Sequence, residues 1–391
     1  MQRGPLSGVK VVALEQAVAM PYCSFVLSEM GADVVKIERP GAGDVVRGWD
    51  SAVRGLSTGF VWVNANKRDL AVDMSTSEGR EVVGRLARTA DVFLENFAPG
   101  VVARLGLADE DLRPDNPGLV YCSLSGYGQT GPWRDTKAYD LLIQGEAGIL
   151  LTNGAPDAPA KVGIPVTDLI GGSNAAIGVT TALYERTQTG LGRYLDVSMF
   201  DSTLLWLGYY PQHQWHTGIE PPRSGMRHQY IAPYGPYLAA DGEYVNLVVA
   251  RPDDWRRFCI EVVERPEWLD DSRFASIADR RNHRDDIERA VEGVIATRPS
   301  DEWLQRLAAA GLANGRVRTI SEVVSHPQLD ARRMVVDAES EVGSLPIIRF
   351  PLSDADQPRR IPRLGEHRQE ILTEAGYSPA EISELEARGV A

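Results

Sequence analysis

Apolar residues fall in short, dense runs separated by amphipathic stretches, the pattern of a parallel sheet flanked by helices. Residues 9–14 (VKVVAL) are β-branched and apolar, residues 21–30 have helical character, and Gly31 stands where a helix C-cap glycine belongs. Residues 34–38 (VVKIE) then read as a second buried strand. About 30 residues per such unit is the length of a βαβ crossover, which predicts a parallel sheet with right-handed connections. The alternation continues with a helix over 78–90, a strand over 91–95 and another over 119–123. The fold class is α/β, with a Rossmann-like parallel sheet.

Further along, a helix rich in small residues is predicted from Gly171 to Arg186, then a turn and strand over 189–199 and a capped apolar helix over 201–207. Residues 211–225 are rich in Pro, Gly and His and read as linker. A hairpin over 234–249, turning at Asp241 and Gly242, opens a second unit with helices beginning near Asp253 and Arg281. This gives a large domain over 1–205, a linker over 206–229, a small α/β domain over 230–318, a linker over 319–360, and a segment over 361–391 that returns to the large domain. The last helix is strongly signalled by Ser378 as cap, Pro379 at the first helical position and Glu381 three residues after the cap.

With 391 residues, 43% hydrophobic and 24% charged, the chain has the composition of a globular protein of more than one lobe. No apolar run approaches the roughly 20 residues that span a bilayer, and the N-terminal stretch lacks the apolar core of a signal peptide. Three widely separated cysteines suggest neither a disulfide framework nor a zinc site, so a reducing cytoplasm is expected. The net charge of −13 argues against nucleic acid as a partner but leaves room for a polyanionic small ligand held by local cations. The six histidines show no metal-ligand spacing. Residues 15–22 (EQAVAMPY) follow the first strand without a Gly-x-Gly-x-x-Gly fingerprint, so dinucleotide binding is not indicated.

The most informative stretch is 161–174 (KVGIPVTDLIGGSN). Asp168 follows an apolar run and precedes a glycine pair, so its carboxylate is expected to be partly desolvated, with backbone N–H groups able to approach a reacting centre. Such a group can act as a nucleophile with amides stabilising the oxyanion. A helix N-cap explains the same spacing and stays open as the alternative. A second set is cationic: Arg39, Lys67, Arg68, Arg104 and Lys137, several of them near the carboxyl ends of predicted strands, where open α/β sheets bind ligands. Ordinary surface charge is the competing reading for each.

Taken together, these segments resemble the family III CoA-transferases, the group that includes formyl-CoA:oxalate CoA-transferase. The matching stretches run nearly the whole length: 6–12 (LSGVKVV), 21–23 (PYC), 31–44 (GADVVKIERPGAGD), 66–68 (NKR), 95–100 (ENFAPG), 137–139 (KAY), Asp168 with its glycines, 189–193 (TGLGR), 199–202 (MFDS) and 364–367 (LGEH). The resemblance implies a large Rossmann-like domain, a small α/β domain, and an interlocked homodimer in which each chain forms a ring threaded by its partner. It implies Asp168 as the catalytic aspartate, with Arg39, Lys67, Asn96, Phe97, Arg104 and Lys137 around coenzyme A, and Ala17 and Val18 where backbone groups meet CoA and the acyl group. Formyl-CoA transferase has glutamine at the position of Val18, and its run of consecutive glycines is replaced here by 223–228 (RSGMRH), so specificity for oxalate is not expected. Acyl-CoA and a carboxylic acid are the implied substrates, with no metal, redox cofactor or ATP.

Two positions on the substrate side follow from the same comparison. The racemases that share this fold carry Gly-His-Asp where this chain has Ala138, Tyr139 and Asp140, and tyrosine, with a pKa near 10, is a poor general base at neutral pH. α-Methylacyl-CoA racemase chemistry and a non-catalytic CoA-binding subunit remain as alternatives. Arg47, beyond the glycine turn, is a candidate partner for a second carboxylate of a dicarboxylic substrate, with a surface role as the competing reading.

Overall fold

The computed structural model describes residues 4–391; the first three residues, part of the N-terminal stretch read above, lie outside the described residues. The described residues divide into two compact units, one formed by residues 4–148, 162–211 and 327–391 and the other by 149–161 and 212–326. Among the described residues no helix is long and apolar enough to cross a membrane.

The first unit is built on a six-stranded sheet: β1 (Lys10–Leu14), β2 (Asp33–Glu38), β3 (Arg68–Ala71), β4 (Val92–Glu95), β5 (Val120–Ser125) and β6 (Tyr194–Ser198). All the pairings are parallel and the spatial order is β3-β2-β1-β4-β5-β6. This is the doubly wound order, whose ligand crevice opens where β1 and β4 part at their carboxyl ends. Alternate side chains of β1 feed both faces. Val11 and Ala13 pack with helix α1 (Ala19–Glu29) and α4 (Val166–Thr189), while Val12 and Leu14 pack with α2 (Ser77–Arg88) and the C-terminal helices. That two-sided burial explains why the strands read as continuous apolar runs.

Helix α1 is buried along nearly its whole length. It ends in a Schellman turn, with Gly31 at φ 98° and bonds from Gly31 N to Ser28 O and from Ala32 N to Leu27 O. Between β5 and β6 lie α3 (Asp140–Glu146) and α4, and β6 leads into α5 (Met199–Trp206).

Residues 327–360, expected as linker, belong to this unit and contain a β-hairpin, Val335–Ala338 with Leu345–Ile348. The segment is fastened by a buried glutamate on α1: Glu29 accepts from Arg359 Nε at 3.0 Å, Asn66 Nδ2 at 2.8 Å and Ser353 Oγ at 2.7 Å. The returning helices Arg368–Glu374 and Pro379–Ala387 bury Ile371, Leu372, Ile382 and Leu385 against the sheet. Ser378 and Glu381 form the expected capping box.

The second unit is a three-stranded antiparallel sheet, Tyr234–Leu238, Tyr244–Val248 and Asn314–Arg316, packed by Arg284–Ile295 and Ser300–Ala309 around Tyr237, Phe258 and Trp303. Residues 149–161, read as part of the large domain, belong to it. The stretch 206–229, read as linker, carries a helix, Tyr210–Thr217.

Candidate active site

Helix α4 begins at Val166, five residues before the expected Gly171, with Pro165 at the N-cap and no side-chain cap of its own. Its second N–H is satisfied from α3, because Thr167 N and Thr167 Oγ1 both donate to Asp140 Oδ1 at 2.8 Å. Gln144 Nε2 donates to the other oxygen of Asp140 at 2.7 Å. Asp168 is therefore the third residue of the helix and not its cap. Its carboxylate accepts no hydrogen bond and has no ion-pair partner among the described residues. Burial, followed by the charge of Asp140, pushes its pKa up to about 7.

The glycine pair serves packing. A Cβ on Gly172 would lie 2.3 Å from Ala19 O and 3.2 Å from the Tyr22 ring, and one on Gly171 would meet Met199 at 3.2 Å. Gly172 lets α4 press onto the start of α1, and Gly171 lets it approach the start of α5. Asp168 and Gly172 are four apart on one helix stripe. The Cα of Asp168 thus lies about 6 Å along the axis from that of Gly172, one turn nearer the start of α4.

The start of α1 is itself unusual. Ala17 has φ 63°, a left-handed conformation that costs a residue with a Cβ about 1–2 kcal/mol. The turn is clamped across the β1–β4 crevice, Gln16 N to Asn96 Oδ1 and Asn96 Nδ2 to Gln16 O, each at 2.9 Å, and Ala17 N donates to Asp44 Oδ1 at 3.0 Å. Phe97 N donates to Glu95 Oε2 at 2.9 Å. Ala17, Val18, Asn96 and Phe97 are thereby brought to one crevice by the topology.

The expected cations divide into two kinds. Arg39, Arg104 and Lys137 are exposed and form no ion pair among the described residues; Arg39 Nε donates to Gly43 O at 3.0 Å. They lie beyond the carboxyl ends of β2, β4 and β5. The loop bearing Lys137 folds back over β5, where a Cβ on Gly126 would lie 2.1 Å from that of Ala138. Tyr139 follows, 73% exposed.

Lys67, by contrast, is 2% exposed, and Nζ donates to Glu15 Oε1 at 2.7 Å, Asn64 Oδ1 at 2.9 Å and Pro21 O at 3.0 Å. All three of its N–H groups are used inside the protein, so the ammonium is not presented to a phosphate. Arg47 is likewise engaged, forming a fork with Glu38 at 2.8 and 2.9 Å and lying 3.6 Å over the Phe60 ring. Glu38 is one of a buried acid pair. Burial and the Glu38 carboxylate push Asp69 up to about 9, so Asp69 is the neutral member and Arg47 answers a charge of the protein's own.

The chain matches the model of CoA-transferase family III over residues 6–368. It is 35% identical to an acetyl-CoA:oxalate CoA-transferase of Acetobacter aceti, covering 92% of each chain. It is 34% identical to a succinate–glutarate CoA-transferase of Agrobacterium fabrum, over 95% of this chain and 96% of that one. A crystal structure of a CAIB/BAIF family protein from Brucella suis superposes with a TM-score of 0.83 at 34% identity, over 96% of this chain and all of that one. The chain belongs to the family III CoA-transferases.

As a family III CoA-transferase it is an enzyme whose substrates are CoA thioesters, and several residues of its crevice were not foreseen. Glu15, Lys36 and Asp44 form, with Lys67, a buried quartet of two acids and two bases beneath the Ala17 turn. The one sequence signal was a lysine inside the apolar run 34–38. Asp140 and Thr167, which start α4, gave none beyond their types.

Proposed function

We propose that this chain moves CoA from an acyl-CoA donor to a carboxylic acid through covalent intermediates on Asp168. The observation that carries this reading is the unpaired carboxylate in the first turn of α4, on the stripe that presses against α1 at the β1–β4 crevice. A carboxylate with no hydrogen bonds to break is a better nucleophile than one committed to a cap.

Attack of Asp168 on the thioester carbonyl breaks the C–S bond, releasing CoA thiolate and leaving an acyl–aspartyl anhydride. The thiolate then attacks the aspartyl carbonyl, expelling the donor carboxylate and forming an aspartyl-CoA thioester. The acceptor carboxylate displaces thiolate to give a second anhydride. Thiolate attack on the acceptor acyl group yields the new acyl-CoA and restores Asp168. Each step exchanges one activated carbonyl for another.

In this reading Ala17, Val18, Asn96 and Phe97 line the pantetheine path. Arg39, Arg104 and Lys137, having no carboxylate partner, meet the phosphates. Tyr139, exposed beside Asp140, faces the acyl portion. The relatives' names pair CoA with oxalate, succinate and glutarate, which supports a short dicarboxylate on at least one side of the reaction. Because Arg47 is tied to Glu38, another cation holds the distal carboxylate. We further take the active form to be an interlocked cytoplasmic homodimer.

The test is mass spectrometry of the peptide bearing Asp168 after incubation with acyl-CoA and no acceptor. A gain of mass corresponding to CoA, absent in Asp168→Ala, is expected. Undiminished transfer by a folded Asp168→Ala would refute the assignment.

A further inference from the structure

We propose that Asp44, held in place by Lys36, is a positioning residue that keeps the turn at 15–18 in the one backbone shape that receives the thioester. The inference rests on the transferase reading and adds what fixes the geometry of its crevice.

Ala17 lies in the left-handed region with a Cβ and no local sequence reason to be there. Strain of this kind persists only where the surroundings over-determine it. Asn96 fixes the residue before, through both of its amide atoms on Gln16. Only Asp44 holds the Ala17 N–H, through Oδ1 at 3.0 Å, and the same oxygen accepts from Val46 N at 3.1 Å. Its other oxygen accepts from Lys36 Nζ at 2.8 Å.

Lys36 in turn reaches Glu15 O at 3.4 Å and Glu15 Oε1 at 3.5 Å. Glu15 is closed off by Lys67 Nζ at 2.7 Å and by Ser24 Oγ, which donates to Oε2 at 2.6 Å from within α1. Glu15, Lys36, Asp44 and Lys67 are each no more than 2% exposed. Buried ion pairs contribute little net stability compared with well-packed apolar groups. Four buried charges gathered in three such pairs under one strained turn are better explained by what they orient. The quartet links β1, β2, the glycine turn before Asp44 and the start of α1, the elements that meet at the crevice.

If Asp44 is removed, Ala17 relaxes to negative φ, the adjoining peptide planes rotate, and the acyl-CoA loses its fit. A glycine at 17 occupies the left-handed region freely and does not need the anchor. This separates positioning from bulk stability.

The experiment removes both charges of one pair, so that no uncompensated charge is buried. Lys36→Met/Asp44→Ala leaves Glu15 paired with Lys67. Its KM for acyl-CoA is expected to rise at least tenfold, with kcat reduced less than threefold, and hydrogen exchange over 15–20 to quicken about tenfold. Adding Ala17→Gly is expected to return KM to within threefold of the starting enzyme. Lys36→Met/Asp44→Asn, which keeps an oxygen for Ala17 N and likewise buries no unpaired charge, is expected to stay near the starting KM.

A folded Lys36→Met/Asp44→Ala variant with unchanged KM and unchanged exchange over 15–20 would overturn the role of Asp44. So would a triple variant no better than the double. A starting enzyme inert towards every acyl-CoA would instead sink the transferase reading itself, an outcome told apart by the unsubstituted control.

Discussion

A carboxylate in the first turn of a helix is ordinarily stabilised as the anion by the positive end of the helix dipole. At Asp168 burial and the neighbouring Asp140 outweigh that effect, and the pKa stands near 7. Two consequences follow from the same shift. Transfer requires the anion, so the rate with saturating donor is expected to rise with pH through about 7 and then level off. Stability moves the other way. The folded chain binds the proton more tightly than the unfolded one, so between about pH 4 and pH 7 the fold loses stability as pH rises, and the loss is complete above 7. Asp168→Asn removes that charge. We expect it to abolish transfer while raising stability at pH 8 by about 2 kcal/mol, with no gain at pH 4. Denaturant melts at the two pH values check this, and equal stability at pH 8 would show that the carboxylate is better solvated than its surroundings indicate. Single residues were the least legible part of the sequence. Asp168 stood out by its setting, yet Lys67 and Arg47 looked like any other cations near strand ends. Burial and partners separate the structural cations from the free ones, and both are properties of the folded chain.

The decisive element is α4, whose early start puts Asp168 inside the helix. The sequence suggested a helix opening at the glycines because glycine disfavours helix interiors. That preference is overridden by packing: Gly172 touches α1 so closely that any side chain collides with the carbonyl of Ala19. Gly172→Ala is accordingly expected to cost about 1–3 kcal/mol through overpacking, despite the better helix propensity of alanine. It is also expected to lower kcat at least tenfold, since the displaced helix carries Asp168 away from the crevice. Gly178→Ala on the same helix, where the nearest atom is Leu195 Cδ1 at 3.4 Å, is the control and is expected to leave both nearly unchanged. A Gly172→Ala enzyme with full kcat would mean that the α1–α4 contact does not set the site. The strands were legible for the converse reason. Residues 11–14, 34–38 and 92–95 are buried on both faces, so every position reports on the core, and the run of apolar residues is itself the signal.

At the scale of the whole chain, the large unit is discontinuous. Its sheet is completed by β6, and its second face is covered jointly by α2 and by helices that follow the small unit along the chain. Residues 327–360 read as linker because their hairpin is short and proline-punctuated. What fastens them is the buried Glu29–Arg359 pair, whose members lie 330 residues apart and leave no mark on either local stretch. The chain leaves the large unit and re-enters it, the connectivity that the interlocked homodimer proposed above requires. The same arrangement accounts for the apolar residues that the single chain leaves uncovered on and after α5: Leu205 is 75% exposed, Trp206 62% and Tyr209 48%. A run of large side chains like this on one short segment calls for a protein partner, and a second copy satisfies it with closed symmetry. Threaded rings separate only when one of them unfolds. The protein is therefore expected to have twice the 42.8 kDa chain mass by light scattering. Two differently tagged pools mixed under native conditions are expected to exchange no subunits over hours, while exchange appears at the denaturant concentration that unfolds the sheet. Leu205→Asp is expected to lower the melting temperature, without yielding a folded monomer. A stable, folded monomer, or exchange within minutes in plain buffer, would mean that the rings are not threaded and that the exposed segment serves another surface.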